Sequence, residues 1–189
     1  MSGEKEILKA LQEDLNGAFA DLIKFYENSL LNFAYRLTGD LQGAQDIVQE
    51  VFLKFYVKFD DLLPIEYLTA LLYRMTSNLA KNYIRDRARK REVALAVDSS
   101  STTGFSLPIA SKNDGNDNYE DLKAIVLAAL DNLPEKQRLA FVLKVFENKT
   151  YDEIAQIFET SRNNVMVLIH RAHTALASDK NLIEYLKLE

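Results

Sequence analysis

The stretch from Gly43 to Phe59 repeats its apolar residues with the period of an α-helix. The spacing is i, i+3, i+4, i+7, i+8 and i+11, which predicts a helix with one buried stripe. The stripe comprises Ala44, Ile47, Val48, Val51, Phe52 and Phe55. A second set at helical spacing lies beside it and consists of Asp46, Gln49, Glu50 and Leu53. This second face is either solvated surface or a docking face for a partner helix, where carboxylates and an amide meet basic or amide groups.

Helical periodicity extends over most of the chain, so we expect an all-α fold. One helical pattern runs from Leu8 to Leu37. The following Thr38-Gly39-Asp40 supplies a glycine suited to the end of one helix and an aspartate able to cap the next. Pro64 suits the first turn of another helix, which we extend from Ile65 to about Arg91.

The second half of that helix is rich in basic residues. Between Arg85 and Glu92 it has five Lys or Arg residues and two acidic ones, and tyrosines and asparagines precede it. This mixture suits melted nucleic acid, because cations hold phosphates, rings stack on bases and amides bond to base edges. The alternative is a solvated basic helix end that interacts favourably with the helix dipole.

Periodicity is lost from Val97 to Asn118, where Ser, Thr, Asn, Asp and Gly dominate, as is typical of a linker. We therefore predict two small helical domains, residues 1–95 and 119–189, joined by a flexible linker at residues 96–118.

The second domain has the pattern of a helix-turn-helix. Thr150-Tyr151-Asp152-Glu153 is a capping box that begins one short helix, and a brief turn at Glu159-Thr160 follows it. Ser161 can cap a final long helix. Two helices joined by so tight a turn, the second with a small polar cap, favour DNA binding.

Composition narrows the classes of function. The 189 residues include no cysteine, which excludes disulfides and thiolate metal sites and favours a reducing compartment. We expect a cytoplasmic protein without membrane insertion, because no apolar run is long enough to span a bilayer and the N-terminal residues are acidic. His170 and His173, the only histidines, lack further metal ligands. Without a glycine-rich phosphate loop or a nucleophilic arrangement, we predict no enzyme, no cofactor and no metal.

Five strings in order along the chain resemble the bacterial RNA polymerase sigma factors of the extracytoplasmic-function (ECF) group in the sigma-70 family. They are FAYRLTGD (33–40), AQDIVQEVFLKFY (44–56), LLYRMTSNLAKNYIR (71–85), LDNLPEKQRLAFVLKVFENKTYDEIAQIFETS (130–161) and VMVLIHRAHTAL (165–176). The resemblance implies a sigma2-like domain, a sigma4-like helix-turn-helix domain, and promoter-directed transcription initiation.

The resemblance also implies four sets of site residues. Docking on the clamp helices of the largest polymerase subunit would use Asp46, Gln49, Glu50 and Leu53. Capture of a flipped base of the -10 element would use Asp60, Asp61, Leu62, Leu63 and Asn78. Contacts along the opened strand or its upstream duplex would use Asn82, Tyr83, Arg85 and Arg89. Major-groove contacts at the -35 element would use Arg162, Asn163, Asn164, Met166, His170 and Arg171.

The recognition helix departs from the family, because two usual cations are replaced by Met166 and Leu168. An asparagine can still bond adenine and a methionine can contact a thymine methyl group, but few cations remain to attract phosphates. The resemblance further implies an anti-sigma factor as a partner. One alternative is a sigma-like decoy that binds an anti-sigma protein without promoter-specific transcription. A stand-alone helix-turn-helix regulator is disfavoured, because it has no need of the acidic docking face.

Overall fold

The computed structural model describes residues 2–97 and 117–187 and places ten α-helices there. The first domain contains α1 (Ser2–Glu13), α2 (Leu15–Thr38), α3 (Leu41–Val57), α4 (Phe59–Leu62) and α5 (Leu68–Val97). The second contains α6 (Asp117–Asp131), α7 (Glu135–Val145), α8 (Tyr151–Phe158), α9 (Arg162–Ala177) and α10 (Lys180–Lys187). These two ranges contain no strand, and the expected all-α fold is confirmed. None of the helices within them is long and apolar enough to cross a membrane.

The core of the first domain lies between α2, α3 and α5. Every residue of the stripe predicted on α3 is buried, and α2 contributes Leu22, Leu30 and Phe33 with no exposed surface. Leu68 and Leu72 of α5 are equally buried. Burial of each Leu or Phe side chain contributes about 1.5–3 kcal/mol, so this interface holds α3 and α5 in a fixed relation.

The helix predicted from Leu8 to Leu37 is in fact two helices. Asp14 interrupts it with an extended backbone, and its carboxylate accepts a hydrogen bond from the Gly17 N–H at 3.1 Å. Asp14 thereby caps α2. The prediction was wrong because the apolar residues keep helical spacing across the break.

Helix α1 supports the beginning of α5. The Glu4 carboxylate accepts a hydrogen bond from the Thr69 N–H at 2.8 Å, which satisfies one of the free donors in the first turn of α5. The predicted start of this helix was wrong, since α5 begins at Leu68 and Pro64 lies outside it.

The turn between α2 and α3 is confirmed. Gly39 has a left-handed backbone (φ 64°), and its N–H donates to the Tyr35 carbonyl at 2.8 Å. Asp40 caps α3 by accepting a hydrogen bond from the Gln42 N–H at 3.1 Å. The turn therefore fixes where α3 begins.

The helix-turn-helix of the second domain is also confirmed as a local structure. Thr150 and Glu153 form the predicted capping box, and Glu159 makes the turn with a positive φ of 51°. Ser161 caps α9 by accepting a hydrogen bond from the Asn164 N–H at 3.3 Å. The helices α8 and α9 pack against α7 through a shared core of Leu139, Val142, Leu143, Ile154, Ile157, Val165 and Ile169.

The predicted linker was too long at both ends. Helix α5 continues to Val97 and α6 begins at Asp117, so residues 96, 97, 117 and 118 are helical. The central part of the predicted linker lies outside the described residues.

Candidate polymerase and nucleic-acid interfaces

The face predicted for partner docking is exposed along α3. Asp46, Gln49 and Glu50 are all solvent-accessible, and Leu53 is 63% exposed while the opposite stripe is buried. Asp46 accepts a hydrogen bond from the Gln42 amide at 3.3 Å, and Glu50 forms an ion pair with Lys54 at 2.6 Å. Both interactions are on the surface, where such contacts contribute little stability and exchange readily for a partner's groups.

Val57 extends this face and was missed from the sequence. It lies one helical turn beyond Leu53 and is 71% exposed, although it is a large apolar residue. The i, i+4 spacing from Leu53 was a signal that could have identified it. An exposed Leu-Val pair next to carboxylates has the mixed character of a protein interface.

The residues predicted along melted DNA form one stripe on α5. Asn78, Asn82, Arg85 and Arg89 are spaced i, i+4, i+7 and i+11, and all four are exposed. Arg85 also contacts the neighbouring carboxylate of Asp86 at 3.5 Å. The stripe presents amides at one end and guanidinium groups at the other, which can bond to bases and to phosphates respectively.

Tyr83 lies beside this stripe and is partly buried. Its hydroxyl donates a hydrogen bond to the Asp40 carboxylate, and its ring rests on Gly43. This hydrogen bond lowers the pKa of Asp40 and raises the pKa of Tyr83. Arg87 adds a longer contact to the same carboxylate at 3.8 Å. Tyr83 therefore joins α5 to the beginning of α3.

The segment predicted as a base-capturing loop is largely helical. Residues Asp60, Asp61 and Leu62 belong to the short helix α4, and Leu63 follows it. Asp60 and Asp61 are exposed, whereas Leu62 packs against the core. Leu63 is 39% exposed. The structure thus separates Leu62, which supports the fold, from the other three residues, which are accessible to a ligand.

The predicted -35 residues occupy two arcs of α9. The first arc comprises Asn163, Met166 and His170, and the second comprises Asn164 and Arg171 together with Val167, which was not predicted. All six are exposed. Met166 and His170 line a groove with Tyr151, whereas the second arc lines a different cavity. Arg162, the remaining predicted residue, turns back towards α8, with its guanidinium 5.9 Å from the centre of the Tyr151 ring.

The two domains meet at that second cavity, which has a volume of about 640 Å³. Asn78 from the first domain and both Asn164 and Arg171 from the second lie on its walls. Arg74 and Lys81 also line it, and neither was predicted as a functional residue. Residues predicted for two separate DNA elements therefore share one cleft. Sequence spacing gives no signal for this arrangement, because it arises from packing between domains.

A helical domain with an exposed acidic and apolar face and an amide and guanidinium stripe, joined to a helix-turn-helix domain, defines a class of DNA-binding transcription factors. Comparison with known proteins identifies the family. Sigma-70 region 2 matches residues 22–90, and Sigma-70, region 4 matches residues 123–176. The ECF RNA polymerase sigma factor SigW of Bacillus subtilis is 30% identical over 180 residues, covering 91% of this chain and 94% of SigW. The chain belongs to the sigma-70 family and to its ECF sigma factors.

Solved structures show the same fold. CnrH, in complex with the cytosolic domain of CnrY, has a TM-score of 0.68 at 20% identity, covering 93% of this chain and 96% of CnrH. The sigma factor RpoE of Bartonella quintana, in complex with the anti-sigma factor NepR, has a TM-score of 0.62 at 24% identity, covering 90% and 98% of the two chains. The two-domain helical architecture is therefore one that sigma factors use.

Proposed function

We propose that this chain binds core RNA polymerase and directs it to promoters for transcription initiation. The observation that carries the proposal is the exposed acidic and apolar face of α3. The hydrophobic core of the domain does not require this face. It lies in the region that matches Sigma-70 region 2, and a helix-turn-helix follows in the same chain. A regulator that only bound DNA would have no use for this face.

The docking partner that we propose is the pair of clamp helices of the largest polymerase subunit. Asp46 and Glu50 meet basic groups there, Gln49 bonds to polar groups, and Leu53 and Val57 cover apolar surface. Charge reversal of Asp46 and Glu50 to lysine is expected to weaken core polymerase binding at least about tenfold, because like charges then meet across the interface. Glu27→Lys is the matched control, since Glu27 is an exposed carboxylate on α2. Unchanged binding of the double variant, with an intact circular dichroism spectrum, would remove the docking proposal.

At the -10 element, the α5 stripe and α4 act on the opened strand. Unstacking one base costs a few kcal/mol, and a pocket that holds the extruded base shifts the duplex towards the open state. Asn78→Ala should therefore slow promoter opening, measured by permanganate reactivity of unpaired thymines, and leave core polymerase binding unchanged. Equal loss of both activities would instead indicate a misfolded domain.

At the -35 element, α9 enters the major groove with few cations. The sites proposed there are Asn163, Asn164, Met166, His170 and Arg171, with Arg162 at the start of the helix. Asparagine bonds adenine and Met166 contacts a thymine methyl group. Binding by this domain alone is expected to be weak, because phosphate contacts supply much of the affinity of DNA-binding proteins. Bound polymerase would then hold the helix-turn-helix domain near the -35 element.

The sparse charge of α9 also favours a second candidate function. In this alternative, the chain is a decoy that binds an anti-sigma protein and does not direct transcription. The specific observation is that Met166 and Val167 are each 46% exposed on the helix that should read DNA. The decoy predicts that core polymerase with this chain initiates at no new promoter.

We further propose an anti-sigma protein as a partner and the cytoplasm as the place of action, where polymerase and DNA are found. Support comes from the family and from the two similar folds, each solved with a partner: CnrY for CnrH and the anti-sigma factor NepR for RpoE. Affinity capture from the source cells, with Asp46→Lys/Glu50→Lys as the comparison, would separate polymerase from other partners.

A further inference from the structure

The cavity of about 640 Å³ is lined by basic side chains, although the chain as a whole is acidic. The formal net charge of the chain is -5, yet the described residues on the cavity walls include four cations and one carboxylate. The cations are Arg74, Lys81, Lys136 and Arg171, and the carboxylate is Glu159. Cations that converge on one cavity create a positive potential inside it, which attracts an anion.

Two helices each present one side to this cavity. Arg74, Asn78 and Lys81 of α5 are spaced i, i+4 and i+7, and all three line it. Asn164 and Arg171 of α9 are seven residues apart, and both line it as well. The cavity therefore places an amide and at least one cation on each of two facing helices.

Two of the four cations are free to bind an anion. Lys136 and Arg171 are exposed, and neither pairs with a carboxylate in the described part of the chain. The other two are in ion pairs, Arg74 with Glu159, and Lys81 with a carboxylate of α7 at 2.7 Å. The side chains of these pairs are between 34% and 71% exposed, so the pairs are weak and can exchange a carboxylate for a phosphate.

Arg74 also has a donor that the fold does not use. Its Nε atom is buried and has no hydrogen-bond partner among the described residues. A buried donor without a partner lowers stability, and an acceptor that reaches it removes this cost. Because Arg74 lies on the cavity wall, an anionic oxygen in the cavity is a suitable acceptor.

The uncharged part of the lining suits a nucleoside. The Asn78 amide forms no hydrogen bond with another described residue. The Asn164 amide donates to the Thr160 hydroxyl at 3.1 Å, which leaves its carbonyl oxygen available. A carboxamide can bond the edge of a purine base, and an aromatic ring such as that of Phe158 can stack on a base.

The size of the cavity selects a small ligand. Its volume lies within the range of about 300–1,000 Å³ that is typical of small-molecule sites. A DNA duplex is too wide to enter such a space, whereas a nucleotide fits. Charge, base-binding amides and volume together indicate a ligand that combines several phosphates with a base.

We propose that this cavity is a binding site for a nucleoside polyphosphate. Its phosphates bond to Lys136, Arg171 and Arg74, and its base contacts Asn78 and Phe158. Binding of the nucleotide does not depend on the proposed function, but its consequence does. Asn78 and Arg171 are also proposed to contact promoter DNA, so a bound nucleotide competes with DNA for them.

The test uses ATP as the probe and the full-length chain. Isothermal titration calorimetry in magnesium-free buffer at about 0.15 M salt, which screens non-specific attraction, should show one site per chain. Lys136→Gln should weaken ATP binding about tenfold, because one charged hydrogen bond is lost. Glu159→Gln should strengthen it about two- to fivefold, because Arg74 is released from its ion pair.

A matched variant separates the site from the net charge of the chain. Lys180→Gln removes one positive charge from an exposed position on α10 that does not line the cavity. It should leave the affinity for ATP unchanged. Absence of saturable ATP binding to the parent would overturn the site. Equal weakening by Lys136→Gln and Lys180→Gln, with intact circular dichroism spectra, would overturn it too.

Two further probes separate the phosphates from the base. ATP should bind more tightly than inorganic tripolyphosphate, and adenosine should bind much more weakly than either. Asn78→Ala should weaken the binding of ATP and leave that of tripolyphosphate unchanged. Equal affinities for ATP and tripolyphosphate would overturn the assignment to a nucleotide.

The competition with DNA has its own readout. ATP should displace a short labelled duplex from the parent at low salt, and Lys136→Gln should require about tenfold more ATP for the same displacement. Binding of ATP without displacement of DNA would overturn the competition. Run-off transcription by core polymerase tests the proposed function separately, since neither the titration nor the displacement requires polymerase.

Discussion

Replacement of Gly43 by alanine should destabilise the first domain, although alanine is the better helix former. A methyl group at this position would lie 2.4 Å from Cζ and 2.5 Å from the hydroxyl oxygen of Tyr83. Both distances are far inside van der Waals contact. The Tyr83 ring must therefore turn away, which breaks its hydrogen bond to Asp40.

The magnitude follows from three contributions. Helix propensity favours alanine over glycine by about 1 kcal/mol. Overpacking of a close contact costs about 1–3 kcal/mol, and a hydrogen bond to a charged group contributes about 1.5–3 kcal/mol. Tyr83 and Asp40 are partly solvent-accessible, so the lower ends apply. The net loss is then about 1.5 kcal/mol.

Urea denaturation, monitored by circular dichroism, measures this loss of stability. The same substitution in a second variant, Tyr83→Ala, makes the test specific. In a Tyr83→Ala background the ring is absent, so Gly43→Ala should stabilise the domain by about 1 kcal/mol. The sign of the effect should therefore reverse between the two backgrounds. The same sign in both would refute the reasoning that Gly43 is required by the approach of Tyr83.

Three other perturbations test separate parts of the structure. Thr150→Ala should lower the stability of the second domain by about 1 kcal/mol, while Thr150→Ser keeps most of it, because serine can still cap α8; a thermal melt distinguishes them. The hydrogen bond from Tyr83 holds the pKa of Asp40 below its ordinary 3.8, so the stability that this carboxylate contributes is full above pH 3.8 and is lost as pH falls through the lowered pKa. Asp40→Asn should accordingly be less stable than the parent at neutral pH, with a difference that shrinks in acid, and a pH-independent difference would contradict this account. Met166→Arg should steepen the salt dependence of DNA binding, so that the slope of log affinity against log salt concentration changes by about 0.9. Ala175→Arg, on the opposite side of α9, should change this slope little.

Local patterns predicted the elements of the fold well. The apolar stripe on α3, the glycine turn at Gly39 and the cap at Ser161 depend on residues close in sequence, and all three were confirmed. The break at Asp14 was missed because a capping aspartate leaves the apolar spacing intact. The short α4 was missed because Pro64 and two aspartates favour a turn in sequence, while Phe59 anchors the segment in the core.

Contacts between distant residues could not be predicted in the same way. The family resemblance assigned Tyr83 to DNA, and only the packing of α5 on α3 shows its hydrogen bond to Asp40. Glu147 lies near the capping box, and nothing in its local sequence distinguishes it from other carboxylates. Its hydrogen-bond partners, Arg36 and Tyr73, are 111 and 74 residues away in the sequence. The periodicity of a single helix cannot predict contacts between residues so far apart.

Run-off transcription from a genomic promoter library tests the central claim most directly. Core polymerase from the source organism is assayed alone, with this chain, and with the Asp46→Lys/Glu50→Lys variant. We expect new start sites with two shared upstream motifs when the chain is present, and none with the variant. If core polymerase binds the chain yet no new start site appears, the chain does not direct initiation and the decoy function replaces the one proposed.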